Sequence, residues 1–444
     1  MSNLQYEHRP ATEAGAKAIV AKFLNQPPHR QIVLVNVGTG GGKTFMAIRA
    51  LGAYQPHAAV LVLTTKKQVD SHNWEDSFEA YQKAVSTSNK PVDLQTYVVN
   101  YEAFRRTDGY QAFQAWLKTK VGRPLYVIAD EAQRIKNPGS KNFKALQKLL
   151  KYPYYQGLIG LSATPITESL LDTQSYLILA GYYTSRSDFR RRHVTRLDPY
   201  FQPMIKDRQG VIHNEWLRDY ELIIERFKSI QVYIDTDQLK PPVTVREWTF
   251  RFDAATQAAY RQIAKDYRNG VYDSIASAIA AQRTFVANHS HQRLQFLYSI
   301  IDSPDRPQGP VLIFYQYNDE LAVLKQALTA HYPNRPLYEI NGQSHYDVRQ
   351  TPPDDALFLC QYQAAGEGLN AQWSRCTIFF APTYSYNNYQ QAQGRNVRAY
   401  QTETVYQIRF VVRNTINEHY WYDLIDNKRN FTEQLMADYL TRDD

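Results

Sequence analysis

VGTGGGKT, residues 37–44, is a glycine-rich stretch enclosed by two regular elements. It follows IVLVN (32–36), an apolar run that predicts a buried parallel strand. It leads into KTFMAIRALGAY (43–54), in which apolar residues recur at helical spacing. A strand, a glycine loop and a helix in this order are the context of a phosphate-binding loop. The stretch therefore predicts an α/β fold with a phosphate site at the end of the first strand.

The loop is predicted to hold the phosphates of ATP. Glycines let backbone N–H groups curl around phosphate oxygens, and the following helix adds the positive end of its dipole. Lys43 is expected to reach the β- and γ-phosphates, and the Thr44 hydroxyl is expected to bind Mg²⁺. Val37 stands where the strict pattern has glycine, so a purely structural glycine turn is the alternative. The predicted nucleotide-binding residues are Gly38, Thr39, Gly40, Gly41, Gly42, Lys43 and Thr44.

Two adjacent acids end a second apolar run. DEAQ (130–133) follows PLYVIA (124–129), and ligands of open α/β sheets bind at the carboxyl ends of strands. Phosphoryl transfer needs charge neutralisation and a positioned nucleophile. We therefore predict that the Asp130 carboxylate holds Mg²⁺ directly or through one of the ion's other ligands, and that Glu131 is the base or the orienter of the attacking water. The alternative is a solvated acidic helix cap.

Strands and helices alternate twice along the chain, which predicts two doubly wound parallel sheets. A less regular stretch from 182 to 245 and a helical region from 255 to 300 lie between the two sets of strands. The boundary is expected near 235–250, which gives domains of 1–240 and 241–444. The predicted strands are 32–36, 58–64, 93–99, 124–129 and 156–161, then 311–316, 336–341, 356–361, 376–381 and 405–412.

Composition is that of a globular protein with a basic balance. The 444 residues carry a net charge of +8, which permits a polyanionic partner without requiring one. The 34 tyrosines could stack on unpaired bases, although core or surface packing is the usual role. Cys360 and Cys376 fall in apolar runs and form no metal or disulfide pattern. No apolar stretch approaches 18 residues, so we expect a soluble, cytoplasmic protein.

Further stretches follow in an order that resembles the motifs of superfamily 2 helicases and, within them, of the Swi/Snf-type DNA translocases. The resemblance covers nearly the whole chain. It implies two RecA-like lobes with a nucleotide cleft between them. After the phosphate loop the matching segments are 61–78, 98–104, 130–137, 157–177, VLIFYQYNDEL, 361–370 and QAQGRNVR (391–398).

The resemblance also implies residue roles. Gln133 stands where the family usually has histidine, and it would couple nucleotide state to lobe closure together with Ser162 and Thr164. Arg395 and Arg398 would act as arginine fingers, although a solvated helix with arginines on one face is the alternative. The remaining implied residues are Gln391 beside the γ-phosphate, Gly366 and Gly368 at the cleft, and Thr64, Thr65, Lys66, Asn100, Tyr101, Gln363 and Asn370 on nucleic acid.

Two departures limit what the resemblance implies. HRP (8–10) is similar to the start of the adenine-recognition segment, but Ala11 and Thr12 replace the expected glutamine, for which Gln5 could substitute. The run Arg190–Arg192 could add electrostatic affinity for nucleic acid, although such runs are usually solvated surface.

The implied function is ATP-driven movement along DNA, without sequence specificity, in replication, recombination or repair. Three alternatives stay open from the sequence. The chain could be an RNA helicase, the motor of a restriction or defence complex, or a nucleotide-gated loader that recruits replication or repair proteins. A compact member of the family would suit a bacteriophage or a bacterium, by analogy alone.

Overall fold

The computed structural model describes residues 10–27, 30–38, 40–86, 92–166, 169–198, 202–205, 212–235, 238, 240–344, 346, 350–366, 371–397, 401–425, 436, 439 and 440. The chain forms two compact units, Ser2–Gln238 and Leu239–Asp444. Each unit is built around one parallel sheet.

The first unit alternates strands and helices. Its strands are β1 (Gln31–Val37), β2 (Ala59–Thr64), β3 (Gln95–Asn100), β4 (Leu125–Asp130), β5 (Tyr155–Ser162) and β6 (Gln231–Ile234). Its helices are α1 (Pro10–Leu24), α2 (Lys43–Tyr54), α3 (Lys66–Asp70), α4 (Asn73–Val85), α5 (Tyr101–Phe104), α6 (Thr107–Lys118), α7 (Lys141–Leu149), α8 (Gln174–Leu179), α9 (Arg186–His193) and α10 (Tyr220–Ile230). Short 3₁₀ turns occupy Ala132–Ile135, Leu170–Thr173 and Asn214–Trp216.

The second unit repeats the pattern. Its strands are β7 (Val243–Phe250), β8 (Val311–Tyr315), β9 (Leu337–Ile340), β10 (Leu357–Gln361), β11 (Cys376–Phe379) and β12 (Val405–Val412). Its helices are α11 (Ala254–Arg268), α12 (Ile275–Asn288), α13 (His291–Ile301), α14 (Asn318–His331), α15 (Tyr362–Gly366), α16 (Tyr386–Gln393) and α17 (Ile416–Ile425).

The strand order is β3-β2-β4-β5-β1-β6 in the first sheet and β7-β12-β11-β8-β10-β9 in the second. All described strand pairings within the two sheets are parallel, so the carboxyl ends of the strands in one sheet share one edge. This confirms the predicted fold class of two parallel α/β units. The prediction follows from the apolar runs, because strands covered on both faces lose the usual alternation of apolar and polar residues.

Helices cover both faces of the first sheet. Alternate residues of β1 enter different cores: Leu34 packs with Phe113, Phe143 and Phe227, while Val35 lies on the opposite face. The Val35 side packs against helices α1, α2 and α4 through Ile19, Met46 and Phe78. Each fully buried side chain of this kind contributes about 1.5–3 kcal/mol of transfer free energy. The two cores therefore hold the sheet edge in place for the loops that leave it.

The structure differs from the prediction between 182 and 245, where it contains α9, α10, β6 and the start of β7. The four residues of β6 are too few for a clear apolar pattern. Strand β7 is exposed along most of its length and pairs only with β12 in the described chain, so it also lacks a buried strand's composition. The predicted helical region is confirmed as α11, α12 and α13.

The structure also shows where the two cysteines lie and whether a described helix could cross a membrane. Cys360 in β10 and Cys376 in β11 are buried thiols. Among the described helices, none combines the length and the apolar character needed to cross a lipid bilayer.

Candidate nucleotide site and its hydrogen-bonded network

The glycine loop connects β1 directly to α2. Gly40 and Gly42 have φ angles of 79° and 85°, in the left-handed region that favours glycine. A Cβ on Gly42 would lie 2.8 Å from the hydroxyl oxygen of Thr12, so the close approach of α1 also requires glycine there. Val37, the departure from the strict pattern, is the last residue of β1 and is fully buried in the core. Its side chain therefore packs in the core beside the sheet and does not enter the glycine loop.

Lys43, the first residue of α2, points back across this loop. Its Nζ donates hydrogen bonds to the carbonyl oxygens of Val37 (2.8 Å) and Gly38 (3.2 Å). Thr44 follows on the same helix and is half-buried. The structure thus places the glycines, Lys43 and Thr44 around one strand end, as a phosphate loop requires. Thr39 lies outside the described residues.

Asp130 ends β4 and collects three donors. Its Oδ2 accepts hydrogen bonds from the Thr64 hydroxyl (2.8 Å) and the Trp74 indole N–H (3.3 Å), and its Oδ1 accepts one from the Glu131 amide (3.1 Å). Burial among protein atoms, followed by the charge of Glu131, raises the pKa of this carboxyl to about 6. The donors and the ammonium of Lys43 act in the opposite direction. A carboxylate held in this way is suited to a cation, which would supply the missing positive charge.

Glu131 has a left-handed backbone, with φ 51° and ψ 56°. This conformation is uncommon for a residue other than glycine and costs about 1–2 kcal/mol. Such strain is found at functional sites more often than elsewhere. Glu131 stands at the N-cap of the 3₁₀ turn Ala132–Ile135, but its side chain forms no capping hydrogen bond there.

A chain of hydrogen bonds leads from Glu131 to the loop after β5. The amide of Gln133 donates to Glu131 Oε2 (2.6 Å), and its oxygen accepts from the Ser162 hydroxyl (2.7 Å). Ser162 Oγ in turn accepts from the backbone N–H of Thr164 (3.0 Å). The three residues predicted for coupling are therefore joined to the predicted base. The neutral amide of Gln133 can both donate and accept, which this chain of contacts uses.

Several residues predicted to touch nucleic acid have other contacts in the structure. Thr64 and Tyr101 are buried, and their hydroxyls donate to the side chain and to the backbone oxygen of Asp130 respectively. Thr65 is buried as the N-cap of α3. In this structure the hydroxyls of these three residues are buried and engaged within the first unit.

The remaining members of that group have different positions. Asn100 caps α5 through a 2.7 Å bond from the Ala103 amide. Lys66 and Gln363 are exposed. Asn370 lies outside the described residues, as does Gln5 of the predicted adenine segment. Lys66 and Gln363 are thus the predicted side chains that face solvent.

The arginine run on α9 is largely engaged within the first unit. Arg191 and Arg192 both bond the buried carboxylate of Asp188 at 2.9 Å. Arg190 donates to Gln202 Oε1 at 3.2 Å. These contacts stabilise the helix, and they argue against the run as a free electrostatic surface.

The second unit carries the predicted arginines. Arg395 follows α16, is 6% exposed, and donates from Nε to the carbonyl oxygen of Gln391 (3.1 Å). Its own carbonyl accepts from the Ala371 amide, which ties the segment to the chain before β11. Gln391 is half-buried, and Gly366 ends α15. Arg398 and Gly368 lie outside the described residues.

Sequence reasoning missed Trp74 as a member of the site. Its indole N–H reaches Asp130 from α4, 56 residues earlier in the chain. The apolar face of α4 predicts that this tryptophan is buried, but no local pattern predicts its partner. The same holds for Thr12 against Gly42, which brings the N-terminal helix to the loop.

No cluster of three or more potential metal-ligating His, Cys, Asp or Glu side chains occurs in the described residues. The Asp130 carboxylate and the Thr44 hydroxyl are oxygen donors of the kind that Mg²⁺ takes beside substrate phosphates and water.

Two family models match the chain. Residues 5–167 match the res subunit of type III restriction enzymes, and residues 292–400 match the helicase conserved C-terminal domain. The first match covers the glycine loop, DEAQ and the loop after β5. The second covers the strands β8 to β11 and the segment with Arg395.

Individual proteins are similar over most of this chain. The ATP-dependent helicase MG018 of Mycoplasma genitalium is 21% identical over 376 residues, which is 78% of this chain and 34% of that protein. The DNA-bound Type ISP restriction-modification enzyme LlaBIII has a TM-score of 0.53 at 13% identity, covering 98% of this chain and 29% of that one. The SWI2/SNF2 ATPase core of Sulfolobus solfataricus, solved with dsDNA, has a TM-score of 0.41 at 18% identity, covering 98% and 93%.

The chain spans about a third of the length of MG018. Its two α/β units, the two family matches and the helicase relative are consistent with one another. Together they support the assignment of this chain to the superfamily 2 helicases.

Proposed function

We propose that this chain hydrolyses ATP with Mg²⁺ to move along duplex DNA, as a Swi/Snf-type translocase with helicase lobes at 1–240 and 241–444. One observation carries the proposal. The hydrogen-bonded chain from Thr64 through Asp130 and Glu131 to Gln133 and Ser162 begins at a candidate cation site and ends in the loop after β5. Such a series of hydrogen bonds can transmit a change in the bound nucleotide to another part of the molecule.

Nucleotide binding would use the glycine loop. The Lys43 ammonium bonds two loop carbonyls, and an incoming phosphate would compete for it with a full negative charge. Mg²⁺, held by Thr44 and Asp130, would neutralise charge on the phosphates. The amides between Gly38 and Gly42 would donate to phosphate oxygens, since the glycines leave that side of the loop without side chains.

Hydrolysis would depend on Glu131. Its carboxylate lies next to the candidate cation site, where it can orient water and accept its proton. The Gln133 amide holds one carboxylate oxygen at 2.6 Å and so fixes the orientation of the group. Arg395 and Arg398 are proposed to stabilise the charge that develops on the transferred phosphoryl group, with Gln391 beside them.

Movement would follow from nucleotide-dependent rearrangement of the loop after β5. Loss of the γ-phosphate changes what Glu131 contacts, and Gln133 passes that change to Ser162 and Thr164. Duplex DNA is the proposed track, because the similar Type ISP restriction-modification enzyme LlaBIII was solved bound to DNA and the net charge of this chain is +8.

A second candidate is a motor subunit within a restriction system. The match of residues 5–167 to the type III restriction family favours it. The chemistry of the two candidates is the same, and they differ in whether the motor acts on a nuclease partner. A purified chain that moves on DNA without cutting it, and that cuts when mixed with a nuclease subunit, would support this second candidate.

The proposed function is tested by ATP hydrolysis with and without polymers. We expect duplex DNA to raise the wild-type rate by about tenfold or more, single-stranded DNA to raise it less, and RNA to have little effect. Lys43→Ala serves as the control for contaminating ATPases. Equal rates with all polymers and with none would contradict the proposal and would favour a nucleotide-gated loader.

A further inference from the structure

The loop that follows the catalytic acids forms an exposed, ordered turn. Asn137 Oδ1 accepts from the Gly139 amide (2.8 Å), and the Ser140 amide donates to the carbonyl oxygen of Asn137 (3.0 Å). Ser140 then caps α7 by accepting from the Phe143 amide. The loop 137–142 is therefore held by its own hydrogen bonds at the carboxyl edge of the first sheet.

Three basic side chains surround this loop. Arg105, from the end of α5, donates to Asn142 Oδ1 at 3.4 Å. Lys141 is the first residue of α7 and is exposed. Arg186, the first residue of α9, lies on another side, with its Nη1 3.3 Å from the place that a Cβ on Gly139 would take. We name Arg105, Lys141 and Arg186 the loop patch.

The loop patch differs from its basic neighbours in its charge balance. None of its three members forms an ion pair within the described ranges of the chain. Several neighbouring cations do: Arg106 pairs with Asp108, Arg134 with Glu102, Lys136 with Asp172, and both Arg191 and Arg192 with Asp188. The carboxylates near the loop are thus already engaged, and the loop patch keeps its positive charge.

Arg186 is the most distinctive member. It is half-buried, and its Nε is a buried donor without a hydrogen-bond partner in the described structure. It also faces Arg190, one helical turn away, whose pKa is lowered by burial and then by the charge of Arg186. A desolvated guanidinium beside a second cation is stabilised by an anion that accepts from both nitrogens of its fork.

The position of the loop patch indicates which kind of anion it would bind. The strand order β3-β2-β4 places three strand ends side by side, and they lead respectively to Asn100, to Lys66 and to the loop 137–142. Lys66 is exposed and carries a further positive charge at this edge. A row of cations from separate elements along one sheet edge suits a repeating polyanion better than a single small ion.

We propose that Arg105, Lys141 and Arg186 contact the phosphodiester backbone of duplex DNA. The inference rests on the proposed function, since it names a surface by which the same motor would hold its track. The contacts would be to phosphates, so they would position the DNA without reading its sequence. They replace the contacts expected from Thr64, Thr65, Tyr101 and the run Arg190–Arg192.

The test is binding of the full chain to a fluorescent blunt-ended duplex, measured by anisotropy from about 50 to about 200 mM salt. Arg105→Gln, Lys141→Gln and Arg186→Gln are compared singly and together. Arg106→Gln and Arg191→Gln are matched controls, because each removes a nearby exposed arginine that is paired with a carboxylate. Thermal unfolding and ATPase without DNA, both expected to match wild type, show that each variant is folded.

We expect the triple variant to bind about tenfold or more weakly, with its salt slope reduced by about 2–3. The two controls should bind like wild type. A triple variant with wild-type affinity and slope, or controls that lose as much as the patch variants, would overturn the assignment while the motor function stands. Failure of the wild-type chain to bind duplex DNA, or a loss confined to duplex RNA, would instead overturn DNA as the track.

Discussion

A Glu131→Gln variant is expected to bind ATP with near wild-type affinity and to hydrolyse it about 10²–10⁴-fold more slowly. The substitution keeps the size of the side chain and an oxygen that can accept from the Gln133 amide, so the network is retained. It removes only the negative charge and the basicity. Nucleotide affinity is measured by equilibrium titration and turnover by phosphate release, both with duplex DNA present.

Gln133→Ala is the matched control for that variant. It deletes the 2.6 Å hydrogen bond and leaves the Glu131 carboxylate in place. If the carboxylate is the base and Gln133 only orients it, the alanine variant should lose much less turnover than Glu131→Gln. Wild-type turnover in Glu131→Gln would show that another group activates the water.

An Asp130→Asn variant is expected to lose DNA-stimulated turnover by at least about two orders of magnitude while the protein becomes more stable at neutral pH. The first effect follows because the amide cannot balance the charge of a cation. The second follows because the folded state raises the pKa of Asp130 to about 6, so ionisation of this group disfavours folding. Turnover and thermal unfolding are measured on the same preparations, the latter with a chelator and without nucleotide.

The raised pKa of Asp130 also determines how the difference in stability between wild type and Asp130→Asn depends on pH. The unfolded chain loses the Asp130 proton near pH 4 and the folded chain near pH 6, so the wild type loses stability as pH rises through that window. The residue keeps some solvent contact, and asparagine forfeits the bond from the Glu131 amide, so we expect a gain of about 1–2 kcal/mol at pH 8. The gain should vanish near pH 4. A variant less stable than wild type at pH 8 would contradict the cause given for the raised pKa.

Much of the first sheet could be predicted because its strands are buried on both faces. Runs such as 32–36 and 124–129 have no polar alternation, and the glycine loop and the acids follow them directly. Local patterns therefore predicted that Lys43 follows the end of β1 and that Asp130 ends β4.

Side-chain partners across the chain could not be predicted in the same way. Thr64 lies 66 residues before Asp130, and Tyr101 lies 29 residues before it. Both carry hydroxyls on segments that the family resemblance assigns to nucleic acid. Their burial depends on how β2, β3 and β4 are ordered in the sheet, which no single segment encodes. Strand β7 was missed for a related reason, since most of its residues are exposed and it lacks the apolar run of a buried strand.

The buried hydroxyls leave other side chains as candidate contacts to DNA. Thr64 and Tyr101 donate to Asp130, and the paired arginines on α9 stabilise that helix. Unpaired cations around the loop 137–142 take their place as candidate phosphate contacts. The 3₁₀ turn Ala132–Ile135 joins this loop to Glu131, so a contact of the loop with DNA could shift Glu131.

Movement along duplex DNA is measured by displacement of a labelled third strand from a triplex site placed inside a linear duplex. The wild-type chain is expected to release the third strand in the presence of ATP and not of ADP, without separating the duplex. Glu131→Gln is expected to leave it bound. If the wild-type chain hydrolyses ATP in response to duplex DNA and the third strand stays in place, the chain does not translocate.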